Sequence, residues 1–421
     1  MSQHDSTADV GLVWRVRTDT PRLRYILHVL CEHWVKVPYR VVCVGDWRPD
    51  CVPTGWRVVD YGGGDFQSAD VILPYSGFIE WSGTEFFLPT WNEGGFFPGE
   101  GGFGWDLPAM AFYTITAYPL YQWPYGYDEW GNYAWHQAPF YEAAFWREPF
   151  VLLRWYELLE KLEVAFPKPP FHWEIGWDID HLYLWKGRSG LRWWLGGLRH
   201  GDLRERLKVR LGALPDPYDT IHAIVGRFSP EHSRFFFLLS SQHPRDSLVS
   251  PFHPALRKAV RFLVEQGYPV GIHPSFTSRD VPSRLRREVA RLEDFTGQPV
   301  RQSRQHYLRY WMPQTFQHLT EAGISEDFTL AFPKRSGFLL GTTLSVPFYR
   351  VDMEKVFPLY LWGPALMDRA YIDTAPHEIP SEIRRLLQIT QATGGRLHLI
   401  WHNSTLSYLP MDVFVEVGGR S

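Results

Sequence analysis

Trp177-Asp178-Ile179-Asp180-His181, followed far downstream by Gly271-Ile272-His273-Pro274-Ser275 and Leu397-His398-Leu399-Ile400-Trp401-His402-Asn403, decides how this chain reads. Each is an apolar run that ends in acid or imidazole groups, the pattern of buried strands delivering polar side chains to one end of a barrel or open sheet. Around these runs, strand-like segments at 174–180, 235–239, 269–273, 298–302, 328–331, 359–362 and 396–401 alternate with helical spacing at 192–211, 254–266, 283–296, 314–322 and 380–393. That alternation predicts an α/β fold with a parallel sheet whose functional groups gather at the carboxyl ends of the strands. Asp178, Asp180, His273 and His402 all fall at such ends.

Upstream the chain changes character. A helix expected over 150–163 carries Leu152, Leu153, Tyr156, Leu159 and Leu162 on its apolar positions, and the prolines from Pro167 to Pro170 stop it. A boundary there divides residues 1–165, a smaller N-terminal α/β domain, from residues 171–421. In the first part a helix is expected at 21–35 and strands at 39–44 and 69–73. Residues 86–146 are rich in Gly, Pro and aromatics, which is turn chemistry around a helix at 109–118. The Gly-rich stretch lacks the Gly-Lys-Ser/Thr ending of a phosphate cradle. A short, stiff proline connector leaves little freedom, so segment 86–146 is expected to pack at the mouth of the downstream sheet, with Trp91, Trp105, Trp123, Trp130 and Trp135 available to extend a groove.

Composition limits the partners. A formal net charge of -3 over 421 residues gives no footprint for nucleic acid or anionic lipid, and the run of Arg284, Arg286, Arg287 and Arg291 has the spacing of a solvated helix face. With 20 Trp, 21 Tyr and 28 Phe the chain is rich in flat apolar faces, which fill cores and also stack on sugar rings, so carbohydrate is the expected substrate class. No stretch approaches the roughly 20 apolar residues of a membrane span, and the polar opening lacks the order of a secretory signal, so a cytoplasmic protein is expected. Cys31, Cys43 and Cys51 form no metal-knuckle spacing and are expected to be small core residues. Nothing in the composition fixes an oligomeric state.

The motif order Asp-x-Asp, Gly-x-His-Pro-Ser, Arg304-Gln305-His306-Tyr307, Gly323-Ile324-x-x-Asp327 and Trp401-His402-Asn403 resembles that of the NodB-type polysaccharide deacetylases, carbohydrate esterase family 4. The resemblance covers residues 172 to about 410. Residues 22–27 and 128–135 look like the N-terminal unit of a bacterial branch carrying an extra domain. It implies a distorted (β/α)7 barrel that holds a divalent metal, usually zinc, through one Asp and two His. Metal coordination lowers the pKa of water from about 16 towards 7, and a neighbouring carboxylate completes nucleophile generation. On this resemblance Asp178 is the base and Asp180 the metal-binding Asp. A two-residue strand spacing points both to one face.

His273 resembles the first metal-binding His. The family places a second His four residues later, where this chain has Thr277, and His306 is the expected replacement. His402 resembles the His that protonates the leaving group, with Asn403 orienting substrate or imidazole; Arg304 is expected to hold Asp178, and Asp327 to support the site. Asp368, at the end of another strand-like segment, is a further candidate, while His222, His232, His243 and His253 are read as ordinary residues. The resulting expectation is a metal-dependent hydrolase removing N- or O-acetyl groups from a carbohydrate. Thr277 keeps open the alternative of an inactive relative that binds glycan or scaffolds polysaccharide assembly. A non-carbohydrate amide hydrolase on the same barrel is a third class.

Overall fold

The computed structural model describes residues 10–64, 68–100, 103–187, 203–372, 374–407 and 414. Two sheets organise it, one parallel and one parallel except at an edge pair. The first is built from β1 (Leu12–Val16), β2 (Tyr39–Cys43), β3 (Arg57–Tyr61) and β4 (Val71–Leu73), in the order β2-β1-β3-β4. All four strands run parallel. Every residue of β1 is buried, Arg15 included through its ion pair with Asp60 of β3, so the strand lacks the alternation that betrays a half-exposed one. Neither β1 nor β3 is among the strands expected from sequence. The helix expected over 21–35 is present as Pro21–Leu27 continued by wider π turns through Trp34, with Thr20 capping the Leu23 N–H.

A two-stranded hairpin, β5 (Trp91–Asn92) with β6 (Gly95–Phe96), precedes the helix Leu107–Ile115. That helix is buried on every face, and Asp106 caps it by accepting the Ala109 N–H. A helix apolar all round needs cover on all sides, and aromatic neighbours from both halves of the chain supply it: Phe112 meets Tyr25 edge-on at 6.4 Å and Tyr349 at 5.7 Å.

The second sheet contains β7 (Phe171–Ile179), β8 (Ser233–Phe237), β9 (Val270–Ile272), β10 (Gln302–Ser303), β11 (Glu326–Asp327), β12 (Val346–Arg350), β13 (Lys355–Leu361), β14 (Leu366–Met367) and β15 (Gly395–His402). Its order is β12-β13-β11-β10-β9-β8-β7-β15-β14, curled into an open half-barrel. Every pairing is parallel except β12 with β13. The α/β expectation holds, as does the barrel-like curl. Helices Pro254–Glu265, Pro282–Thr296 and Ile379–Thr393 bury one stripe each, for example Leu285, Val289, Leu292 and Phe295. Gly297, at φ 74°, ends the second of them in the left-handed conformation that glycine adopts without steric cost.

Three sequence expectations shift. The strand expected over 328–331 lies two residues earlier, as β11. The eleven residues 192–202 of the helix expected over 192–211 lie outside the described residues, and the rest forms Leu203–Arg210. All three cysteines are free, but only Cys31 is a core residue; Cys43 and Cys51 are half-buried near the surface. Among the described residues no helix is long and apolar enough to cross a membrane.

Candidate active site

The carboxyl ends of β7, β9, β10, β14 and β15 meet at one cavity of about 460 Å³. β7 is paired on both sides, by β8 and β15, so it sits deep and rigid in the sheet. It delivers Asp178, and Asp180 follows one residue past its end. His402 on β15 stands opposite Asp178 in register. His273 follows β9, Arg304 and His306 follow β10, and Asp368 follows β14.

Asp180, His273 and His306 present ligand atoms that all lie within 4.8 Å of one another. His273 Nδ1 stands 2.6 Å from the Arg304 carbonyl oxygen, which only accepts, so Nδ1 carries the proton and Nε2 offers a lone pair. That Nε2 faces Asp180 Oδ1 at 3.2 Å, and His306 Nε2 faces the same oxygen at 3.5 Å. Both Asp180 Oδ1 and His273 Nε2 are buried without a hydrogen-bond partner. Buried acceptors turned towards each other call for a cation between them. One carboxylate with two imidazoles is a donor set zinc takes in catalytic sites, and the residues fit such an ion.

Thr277 does not belong to this trio. Its hydroxyl accepts from the Arg284 guanidinium, which also shows that the basic helix face is partly engaged by the neighbouring loop. Asp178 is held by Arg304, whose Nη1 donates to Oδ1 at 2.7 Å and to the Gly176 carbonyl at 3.1 Å; both side chains of the ion pair are buried. Burial pulls the Arg304 guanidinium down, opposed by Asp178. A side chain on Gly176 would collide with the Arg304 guanidinium and come within 2.7 Å of His398 Nε2, so the glycine clears the passage by which Arg304 reaches Asp178.

His402 is the third imidazole at the site, beside His273 and His306. Its Nδ1 donates to Asp368 Oδ1 at 2.7 Å, while Asp368 Oδ2 accepts the His402 backbone N–H at 2.9 Å and the Thr405 hydroxyl at 2.5 Å. Nε2 is left facing Asp180 at 3.8 Å and Asp178 at 4.0 Å. Burial alone would lower this imidazole, but Asp368, then Asp180 and Asp178, push it up to about 9. Burial likewise opposes ionisation of Asp180, yet His306, His273 and His402 hold it well below the usual carboxylate range.

Asp178, Asp180, His306 and His402 thus line the cavity, with His273 buried against Asp180 and Arg304 buried against Asp178. Asp327 is buried behind the site, where it accepts from the hydroxyls of Ser303 and Thr329 at 2.6 and 2.9 Å, and burial raises it to about 6. Asp368 occupies the position beside the His402 imidazole. The Asn403 amide donates to the carbonyls of His181 and Tyr218 and ties two loops together.

Two residues in the site's foundation escape the sequence reading. His398 Nε2 accepts from Arg304 Nη2, and His398 Nδ1 donates to Glu174 Oε1 at 2.8 Å; Glu174 in turn accepts from Arg234 and Arg396. Burial, reinforced by Arg304, lowers His398 to about 3 despite Glu174, so it stays neutral and keeps this tautomer. An acid and an imidazole facing one another in mid-strand, on registered residues of β7 and β15, are the signal that sequence alone scatters over 224 residues.

The upstream segment reaches the mouth of the cavity, through Asp128, Trp130 and Asn132. Trp123 and Trp135 are instead core residues, and Trp105 lies under the Arg154 guanidinium. Of the five tryptophans considered, Trp130 lines the cavity.

Comparison with known proteins adds the following. Residues 12–167 match the model of a family described as a family of unknown function, DUF7033. No curated protein matches the chain. A candidate polysaccharide deacetylase from Mycobacterium smegmatis is similar over 60% of this chain and 85% of its own, at 15% identity and a TM-score of 0.37. A polysaccharide deacetylase from Bacillus cereus covers 59% and 86% at 10% identity and a TM-score of 0.28. A pseudoenzyme of the CE4 family from Bacillus anthracis covers 62% and 68% at 12% identity and a TM-score of 0.28. Likenesses this distant decide nothing about activity, and the site is argued from its own atoms.

Proposed function

We propose that this chain is a divalent-metal-dependent hydrolase that removes an N- or O-acetyl group from a carbohydrate. The observation that carries the reading is the pair of buried, unpartnered acceptors, Asp180 Oδ1 and His273 Nε2, set beside a second carboxylate, Asp178, that Arg304 holds. Asp180, His273 and His306 would hold the ion, with zinc the expected metal. When bound, such an ion supplies Lewis acidity at the acyl carbonyl and acidifies water.

The protein groups divide the proton work. Asp178, fixed by Arg304, takes the proton from the attacking water as the new carbon–oxygen bond forms. His402, kept protonated by Asp368, gives its Nε2 proton to the departing nitrogen or oxygen as the acyl bond breaks, so acetate and the free amine or hydroxyl leave. Two groups of opposite proton affinity on either side of one carbonyl are what acyl hydrolysis needs.

The test combines metal analysis of the purified chain with acetate release from acetylated oligosaccharides, before and after chelation and zinc return. Zinc near one equivalent, with acetate release lost on chelation and restored by zinc, is expected. Asp178→Asn should keep the metal and lower the rate by about 10²–10⁴. Absence of both metal binding and acetate release would replace this reading with the glycan-binding or scaffold alternative.

A further inference from the structure

The guanidinium that steadies Asp178 is itself aimed from deeper in the half-barrel. Arg304 Nε donates to the Phe328 carbonyl at 3.3 Å and Nη1 to the Gly176 carbonyl at 3.1 Å, while the Phe236 ring lies 4.3 Å from the guanidinium carbon. Nη2 turns the other way and donates to His398 Nε2. Arg304 is fully buried, so an N–H that loses its acceptor there cannot turn to water instead. The acceptor stands in register one layer down: Glu174 and His398 pair across β7 and β15 as Asp178 and His402 do above them.

An imidazole accepts at Nε2 only while its proton sits on Nδ1. Glu174 enforces that choice, because its Oε1 stands 2.8 Å from Nδ1 and a carboxylate only accepts. Glu174 is fixed in turn by Arg234 at 3.1 Å and Arg396 at 3.2 Å, and the Phe328 ring packs 4.8 Å from the imidazole. Burial opposes ionisation of Glu174, yet His398, Arg234 and Arg396 hold its carboxyl well below the usual range. One chain of hydrogen bonds therefore runs from Arg234 and Arg396 through Glu174, His398 and Arg304 to Asp178. Acyl hydrolysis by itself calls for its last two members, and the buried remainder is costly to keep unless it contributes to order.

We propose that His398 is a positioning residue for the base: with its proton held on Nδ1 by Glu174, it turns the Arg304 guanidinium so that Nη1 points at Asp178 Oδ1. The inference rests on the hydrolase reading, in which Asp178 takes a proton from water, and adds the groups that aim it. His398 lies outside the residues that line the cavity, so its effect passes through Arg304. Displacing a reacting group by about 1 Å costs on the order of 10² in rate, which makes the aim of one guanidinium a kinetic matter.

Two variants of the full-length protein, assayed with zinc present on acetylated oligosaccharides, test it. His398→Leu keeps similar bulk but offers Arg304 no acceptor. Its kcat should fall about tenfold or more at unchanged KM, with zinc affinity within about threefold of wild type. His398→Gln, whose Oε1 can stand where Nε2 stood, should recover kcat to within about threefold of wild type, which a residue that merely fills the half-barrel would not do. Should the Leu variant fail to fold, nitrogen NMR of the wild-type imidazoles decides: His398 should carry its proton on Nδ1 and leave Nε2 bare. A Leu variant as fast as wild type, a Gln variant as slow as Leu, a change confined to KM, or a proton on Nε2 would overturn the proposal. If the wild type releases no acetate, the hydrolase reading fails, and crystal structures of the two variants judge the positioning alone. The Arg304–Asp178 bond should then be lost with Leu and kept with Gln, and a bond intact in both would remove His398 from that role.

Discussion

Arg304→Met is the perturbation whose outcome follows most directly from the site's construction. The wild-type guanidinium is fully buried, 2.7 Å from Asp178, and also serves His398 Nε2. Removing it leaves a buried carboxylate without its partner, which costs about 3–5 kcal/mol, and a buried imidazole acceptor without its donor, which costs about 1–3 kcal/mol more. The two costs fall on one connected cluster and do not add in full, so a loss of roughly 3–5 kcal/mol overall is expected. At about 2–4 °C per kcal/mol for a large domain, the thermal midpoint should fall by at least about 5 °C. The assay is a thermal melt in EDTA, because a bound metal would add stability that hides the difference. Asp178→Asn in the same background should return at least about 1 kcal/mol, since the stranded charge is gone. A midpoint within about 1 °C of wild type, or a double variant no better than the single, would refute the claim that Arg304 neutralises a buried charge.

Three further outcomes are expected. His306→Ala should weaken zinc binding by at least about tenfold in calorimetric titration, whereas Thr277→His should change it little, because Thr277 is engaged by Arg284 rather than directed at the trio. Gly176→Ala should lower acetate release while zinc affinity stays within about threefold, since the added carbon displaces Arg304 and not a metal ligand; unchanged turnover would contradict it. Glu288, raised by burial to about 7 despite hydrogen bonds from the Ser275 hydroxyl and N–H, favours the folded state in its protonated form. Its stabilisation is complete below the unfolded value of about 4.5 and is lost as pH rises through 7, on the order of 3 kcal/mol in all. Urea melts between pH 5 and 8 should show that decline in the wild type and not in Glu288→Gln.

How much of this was legible beforehand depended on spacing. Asp178 lies at the end of β7 with Asp180 two residues on, just past the strand, and His273 and His402 end apolar runs, so local pattern suffices to place them. His306 was found because it sits within a four-residue motif. The partner of Asp368 is not legible in sequence, because the strand before it is two residues long and carries almost no periodic signal. Glu174 and His398 were missed for another reason: mid-strand polar residues look like solvent-facing positions until the neighbouring strand is known. β1 and β3 went unseen because strands buried on both faces lose their alternation. Trp130 was anticipated as one of five tryptophans, and only the turn held by Arg279 and Arg309 separates it from the other four.

The aromatic groups of the upstream segment find their partners late. Tyr25 Oη donates to the Pro347 carbonyl, the Trp34 ring to the Ser345 carbonyl, and Tyr133 Oη accepts the Met312 N–H, across sequence separations from 179 to 322 residues. On a ribosome adding about 5–20 residues per second, those side chains wait roughly 10 to 60 s before the segments that cover them exist. Through that interval the nascent chain displays a broad oily face to its surroundings. Synthesis of this protein should therefore lean on holding chaperones from its first half onwards, and yield should respond more to translation speed and chaperone supply than to anything in the completed site.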